Sequence, residues 1–490
     1  MDQQPQTKPK RKKRRLGFHG TVGLIVLLFL VYLIQQAIIR CFLENIEDQR
    51  FSTCEKEGAP IKLAFVFPEQ YKEQFLAVAE LAVDLANAEA ETNPQYRKIT
   101  WEYFPEPAPP KSAMDVAIKI SKNPSFFGAA GYYYSQNAME ASTVFQQNCV
   151  ITMISSSNSS RVMALDFEYV FSSSHSSEKT GKHVLPSLSR ILSPERFADN
   201  QRPIRLAIIQ EHSIYSEDVA ISLYSDISHN NDIFNFLNIC KQYPTSTLKQ
   251  LLQDEKISHR QFSTITDHLN KNAEETGTTI PRSAAEIAAQ VQDSIIQVDA
   301  VLDITYTTEH APPFAVANQL AATKPDVIFF ATATTTLPLI AQLRKLNENI
   351  PILAAAAFDN PKELEPYSDY LNNFYVISSY DDDIQGKALK EVAEQAAKID
   401  PAKYGNFEPD HIKTEAYQAV ELLIQACRIY PEYYPQAIAP TLRYALPEGW
   451  SVLNQTLTVS PNQNFDNNLP MFLKKYENGQ LVKVPEKQEK

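Results

Sequence analysis

Two short stretches of the chain concentrate side-chain hydroxyls at spacings that could hold a ligand. Ser135 follows the apolar run Phe126–Gly131, and Ser155, Ser156, Ser157, Asn158, Ser159 and Ser160 follow the apolar run Val150–Ile154, with a helical pattern between the two. Each reads as strand, turn, helix. In a parallel sheet both turns fall at one edge, beside helix N-termini whose free N–H groups and positive dipole ends favour an anion. The chemistry on offer is capture of a small carboxylate; the alternative is that the hydroxyls cap helices. Catalytic chemistry is not on offer. Glu309-His310 lacks the second His of HExxH, no serine lies in GxSxG, and the nine histidines are scattered. The absence of GxGxxG and GxxxxGK[ST] among only 12 glycines argues against dinucleotide and P-loop nucleotide binding. Five cysteines (Cys41, Cys54, Cys149, Cys240, Cys427) show no CxxC or Cys/His metal spacing. The chain is therefore read as a non-enzyme with no cofactor and no metal.

The elements that must position these turns can be read in order. Ile61–Phe67 is a continuous apolar run, as in a strand buried on both faces, and Phe75, Val78, Ala79, Ala82, Val83 and Ala86 then recur at helical spacing. A strand at Ile99–Phe104, a Pro-rich turn and a helix at Met114–Ser121 lead into the hydroxyl-bearing stretch. After a short strand at Tyr169–Ser173 the rhythm starts again. A helix near Thr180–Ile191 precedes strands at Ile204–Gln210, Asp299–Tyr306, Asp326–Thr332, Pro351–Ala357 and Phe374–Tyr380. A helix at Tyr215–Ile227 and one carrying Leu337, Ile340, Leu343 and Leu346 lie between them. Two α/β series imply two lobes, each a parallel sheet covered by helices. Roughly residues 230–298 interrupt the second series with helical patterns of their own, including Ser283 with Glu286 three residues on, and read as a helical insertion. A long helix then places Ala416, Val420, Leu423 and Cys427 on one face. Strand-like pieces at Ser451–Val459, Phe472–Tyr476 and Leu481–Val484 follow, the last two joined by an Asn478-Gly479 turn, and 485–490 is a polar tail.

Charge is segregated. Residues 1–16 form a basic tail, with seven Lys or Arg in its first 15 positions against one acid, which leaves −18 on the remainder of a chain whose net charge is −12. Gly17–Ile39 follows, 23 residues with no formal charge apart from what His19 can carry. This is long enough to span a bilayer, and Ile38, Ile39 and Arg40 supply no small-residue cleavage site, so it is read as an uncleaved signal anchor. The basic tail holds the N-terminus in the cytoplasm, which places the acidic body in the periplasm or outside the cell. Such a body carries no basic stripe for nucleic acid. Residues 40–60 form a juxtamembrane linker, in which Cys41 and Cys54 are a possible disulfide.

The segments FFGAAGYYYSQNA, VITMISSSNSS, YVFSSS, IRLAIIQEHSIYSED, KPDVIFFATATTT, PILAAAAFDNP and TEAYQAVELLIQAC, in this order and spacing, resemble the periplasmic binding protein type I family. Within it, the resemblance is to the leucine/isoleucine/valine-binding branch of ABC transporter substrate-binding proteins and the related receptor domains. It covers nearly the whole exterior, from about Ile61 to Val484. It implies two Rossmann-like lobes behind the transmembrane helix: residues 61–174 plus 381–484 as lobe one and 175–380 as lobe two, with crossings near Ser174, Tyr380 and a point in the C-terminal segment. It further implies an interlobe cleft in which Ser135, Ser157, Asn158 and Ser159 hold a carboxylate, Tyr215 covers the ligand from lobe two and Thr334 lies near the next contact. The expected role is capture of a small polar, amino-acid-like or amide-like ligand for an ABC permease. The alternatives are a sensing domain acting through a partner and a scaffold that binds nothing. Two positions depart from the family pattern: Ala356 stands where an acid often pairs with a ligand ammonium, and Pro68–Tyr71 replaces a small-residue loop.

Overall fold

A computed structural model of the 490-residue chain describes residues 59–109, 111–193, 196, 202–276, 283–291, 297–306, 312–346, 349–429, 435–444, 450–456, 458–459, 465–466 and 470–485, with four helical residues at 31–32 and 34–35. Apart from those four, the expected signal anchor lies outside the described residues, as do Cys41 and Cys54. Among the described residues no helix is long and apolar enough to cross a membrane.

The first sheet is built from β1 (Ile61–Pro68), β2 (Ile99–Glu106), β3 (Phe126–Gly131), β4 (Ile151–Ile154) and β5 (Val170–Ser172). All its pairings are parallel, in the order β2-β1-β3-β4-β5. β1, β3 and β4 are apolar because helices cover both faces, leaving no solvent side that would select alternation. β3 is small as well as apolar. A Cβ at Gly128 would come within 2.8 Å of Leu423, so helix His411–Arg428 lies directly on this strand. The expected face of that helix is buried, as is the expected face of helix Lys72–Thr92 that packs beside it.

The second sheet contains β6 (Ile204–Gln210), β7 (Val298–Thr305), β8 (Val327–Ala331), β9 (Ile352–Ala354) and β10 (Phe374–Ser378). These run in the order β10-β9-β8-β6-β7, so the second lobe repeats the strand order of the first. One assignment is corrected here. The C-terminal hairpin, strands Phe472–Glu477 and Gln480–Lys483, was expected in lobe one, but it pairs antiparallel with β10 and extends the second sheet. Leu473 is fully buried in the lobe-two core, whereas residues 388–453 supply part of the lobe-one core. The hairpin closes on Asn478 and Gly479, both at positive φ as a two-residue turn of this kind requires.

The helix expected to end near Ile227 continues from Ile214 to Gln242. Its apolar spacing carries on through Ile233, Phe236, Leu237 and Cys240, which pack with Leu251, Ile257, Ile265, Leu269, Ala284 and Ile287 into a separate small core. The insertion thus folds as helices Leu248–Gln253, His259–Thr276 and Ala284–Val291 around the outer half of one long helix.

Candidate functional site

A cavity of about 340 Å³ opens between the C-terminal edges of the two sheets, where the strand order of an open α/β sheet places a ligand crevice. Lobe one contributes Tyr133, Tyr134, Ser135, Ser156 and Asn158. Lobe two contributes Glu211, Tyr215, Thr335, Ala356 and Asp359, and the helix that returns to lobe one adds His411 and Glu415.

The turn after β3 is shaped by its backbone. Gly131 has φ +135°, and a Cβ there would sit 1.9 Å from the Val66 carbonyl oxygen, so only glycine fits. Tyr132 follows at φ 67°, and the chain then enters helix Ser135–Gln147. The N–H groups of Tyr133 and Tyr134 do not face the cavity unengaged. They donate to Glu106 at 2.8 and 3.1 Å, and the Asn137 amide adds a third bond at 3.1 Å. Glu106, the last residue of β2, is 4% exposed. Burial pushes its carboxyl up to about 8 against the downward pull of the three donors. The place at this helix N-terminus where the sequence leads one to expect a ligand carboxylate is therefore taken by a carboxyl group of the protein itself.

The second turn is occupied in a similar way. Ser157 donates to Ser135 at 3.1 Å, and both are buried. Ser159 donates to Asp218 of lobe two at 2.6 Å and accepts from the Arg161 N–H, capping helix Ser160–Met163. Of the four lobe-one residues expected to hold a carboxylate, Ser135 and Asn158 line the cavity, Ser157 stands behind Ser135, and Ser159 is turned into the lobe–lobe contact. Arg161 completes that contact, with Nε 2.6 Å from Asp218 and a guanidinium nitrogen 3.0 Å from Glu217.

On the opposite flank Tyr71, in the loop after β1, donates to Glu363 of lobe two. Thr334 donates to the same carboxylate and does not line the cavity; its neighbour Thr335 does. Tyr215 lines the cavity from the start of helix Ile214–Gln242. Its hydroxyl is enclosed beside the Ala356 and Ala357 backbone but makes no hydrogen bond of good geometry among the described residues.

Four titratable groups at the site were not singled out from sequence: Glu106, Glu211, His411 and Glu415. Glu211 directly follows β6, a position at the carboxyl end of a parallel strand that the topology alone marks as a cleft position. Its carboxylate accepts from Thr335 at 3.2 Å and Ser213 at 3.3 Å, and burial raises its pKa. His411 bonds Glu415 at 3.1 Å and stacks on Tyr380. Burial alone would lower the His411 pKa, but Glu415 and the more distant Asp359 outweigh it and hold it up at about 9. Asp359 bonds the buried Lys474 at 3.0 Å. Lys474 comes from the C-terminal hairpin, which explains how that hairpin is anchored beside the cleft.

Solved structures share the two-lobed fold. An ABC transporter substrate-binding protein from Desulfitobacterium hafniense in complex with Leu superposes with a TM-score of 0.59 at 15% identity, covering 87% of this chain and 100% of that one. The fold is that of the type I periplasmic binding proteins. The branched-chain amino acid transporter substrate-binding protein LivJ from Streptococcus pneumoniae, in complex with isoleucine, gives 0.58 at 15% identity over 87% and 100% of the two chains. A solute-binding protein of an ABC transporter from R. palustris, in complex with benzoate, gives 0.59 at 12% identity over 87% and 96%. No protein-family model and no curated protein sequence matches the chain.

Proposed function

We propose that this chain is a membrane-tethered, extracytoplasmic solute-binding protein whose two lobes close on a small polar, amino-acid-like or amide-like ligand and present it to an ABC permease. The observation that carries this reading is the cavity of about 340 Å³ with walls from both lobes, bridged on one flank by Arg161 with Asp218 and on the other by Tyr71 with Glu363. A cavity of that size suits a ligand of amino-acid dimensions, and walls from two bodies make its shape depend on their closure. The leucine, isoleucine and benzoate named for proteins of the same fold are of this size class. Tethering is supported by the 23-residue uncharged stretch Gly17–Ile39 behind seven cationic residues. A thermal-shift screen of the full-length chain in detergent, against amino acids, amides, urea and short peptides, tests the reading. A compound present at about 100-fold its Kd should add roughly 2.7 kcal/mol of stability, and Tyr215→Ala should remove the shift. Absence of any shift across the screen would overturn it.

A further inference from the structure

The two ends of the cavity differ in what they leave open to a ligand. At the lobe-one end several groups suited to a carboxylate are engaged internally: Tyr133 and Tyr134 N–H on Glu106, Ser157 on Ser135, and Ser159 on Asp218. A ligand carboxylate brought there would meet hydroxyls such as those of Ser135 and Ser156 but not these N–H groups, and so would replace its water only in part, which is costly. At the lobe-two end the situation reverses. Of the three acids lining the cavity, Glu415 is matched by His411 at 3.1 Å and Asp359 by Lys474 at 3.0 Å, while Glu211 has no ion pair among the described residues. Its bonds come from neutral donors, the Thr335 and Ser213 hydroxyls and the Ala333 backbone N–H. A half-buried carboxylate held by neutral donors alone is one counter-charge short. Three further polar atoms belonging to lining residues, Asn158 Oδ1, Ser156 Oγ and Tyr215 Oη, are enclosed with no hydrogen-bond partner of good geometry among the described residues. All three can accept from an N–H donor. Tyr133, Tyr134 and Tyr215 supply aromatic surface, which suits an apolar body and tolerates a cation.

We propose that the cavity takes an organic cation, an amine with a small apolar body and no free carboxylate, with its ammonium paired to Glu211. This rests on reading the cavity as the ligand cleft and narrows the ligand class within it. It also accounts for Ala356, since the ammonium partner stands after β6 rather than after β9. Binding favours the ionised form of Glu211, whose carboxyl in the empty cleft is raised by burial. Amine affinity is therefore full above that raised pKa and declines as pH falls through it.

The test is calorimetric titration of the full-length chain in detergent with four probes of one shape: isoamylamine, leucinamide, leucine and isocaproate. Isoamylamine and leucinamide should bind, leucine at least about tenfold more weakly than isoamylamine, and isocaproate not at all. Glu211→Gln should weaken isoamylamine by about tenfold or more and flatten its pH dependence, while the ligand-free melting temperature does not fall. Leucine or isocaproate binding as tightly as isoamylamine would overturn the assignment, as would undiminished amine binding by Glu211→Gln. If none of the four binds but another compound of the wider screen does, the amine assignment fails and the cleft reading survives. If nothing binds in either set, both fail.

Discussion

The two lobes repeat one strand order, yet the edges they turn toward each other are finished differently. The lobe-one edge is rich in donors and has closed them upon internal acceptors, Glu106 above all. The lobe-two edge is rich in acceptors and has matched one acid, Asp359, with a buried lysine while leaving Glu211 beside neutral donors only. The common topology thus specifies where a cleft lies but not which charge it prefers, because a single side chain from another strand of the sheet can occupy a helix N-terminus before any ligand arrives.

The matched acid offers the sharpest way to break this comparison. Lys474 is 2% exposed and its ammonium lies 3.0 Å from Asp359 and 4.5 Å from the centre of the Tyr380 ring. Lys474→Met should leave Asp359 buried without a cation and cost about 3–5 kcal/mol, measured by urea unfolding. A cost below about 1 kcal/mol would mean that the hairpin is not held by this pair, and that both acids of the lobe-two edge are in the same condition.

Glu106 tests the other edge. Glu106→Ala should cost about 1–3 kcal/mol by orphaning the Tyr133 and Tyr134 N–H groups. Glu106→Gln is more informative, because the native carboxyl rises on folding from an ordinary 4.5 to about 8. The folded state then holds a proton that the unfolded state has released, so Glu106 makes stability fall as pH rises from about 4.5 to about 8. Glutamine cannot ionise, but its amide nitrogen replaces one of the two oxygens that accept the Tyr133 and Tyr134 N–H groups. The variant should therefore start about 1–3 kcal/mol below the native chain at acid pH and gain stability relative to it toward pH 8. Equal pH slopes would show that Glu106 is ionised throughout and that the lobe-one edge carries a fixed negative charge.

What sequence made legible follows from the range of the interactions involved. β1, β3 and β4 were readable because strands covered on both faces become continuous apolar runs, and the Asn478-Gly479 turn because positive φ restricts residue choice locally. The two hydroxyl-rich turns were found for the same reason. Their partners were not, since Glu106 lies 27 residues before Tyr133 and Asp218 lies 59 after Ser159. Nothing in a serine's neighbours says whether its hydroxyl will meet a ligand, another serine or the opposite lobe. The C-terminal hairpin was readable as a hairpin but assigned to the wrong sheet, because short amphipathic strands do not encode the edge they join. Thr334 missed by one position: Thr334 and Thr335 both belong to one turn of 3-10 helix, and its phase determines which hydroxyl faces the cavity.

Smaller effects bear on the contact between the lobes. Arg161→Ala removes the cation from Asp218, whose side chain is 4% exposed, and from Glu217. It should weaken ligand binding by about 1–2 kcal/mol and enlarge the radius of gyration of the ligand-free chain in X-ray scattering, because the guanidinium joins the lobes only when they are closed.

Ser159→Ala should be milder, about 0.5–1.5 kcal/mol, since Arg161 still neutralises Asp218 when the 2.6 Å hydroxyl bond is lost. Its value lies in the pattern across ligands. If Ser159 held a ligand carboxylate, as its place in the turn first implies, the loss would fall on carboxylate-bearing compounds and spare the rest. As a strut between lobes it touches no ligand, so it acts only by lowering the population of the closed form, and every ligand then loses the same factor. Equal fold-losses for two compounds of different charge, set beside an unequal loss from Glu211→Gln, would place Ser159 in the hinge energetics and Glu211 in recognition. Unequal losses from Ser159→Ala would return the lobe-one edge to the ligand.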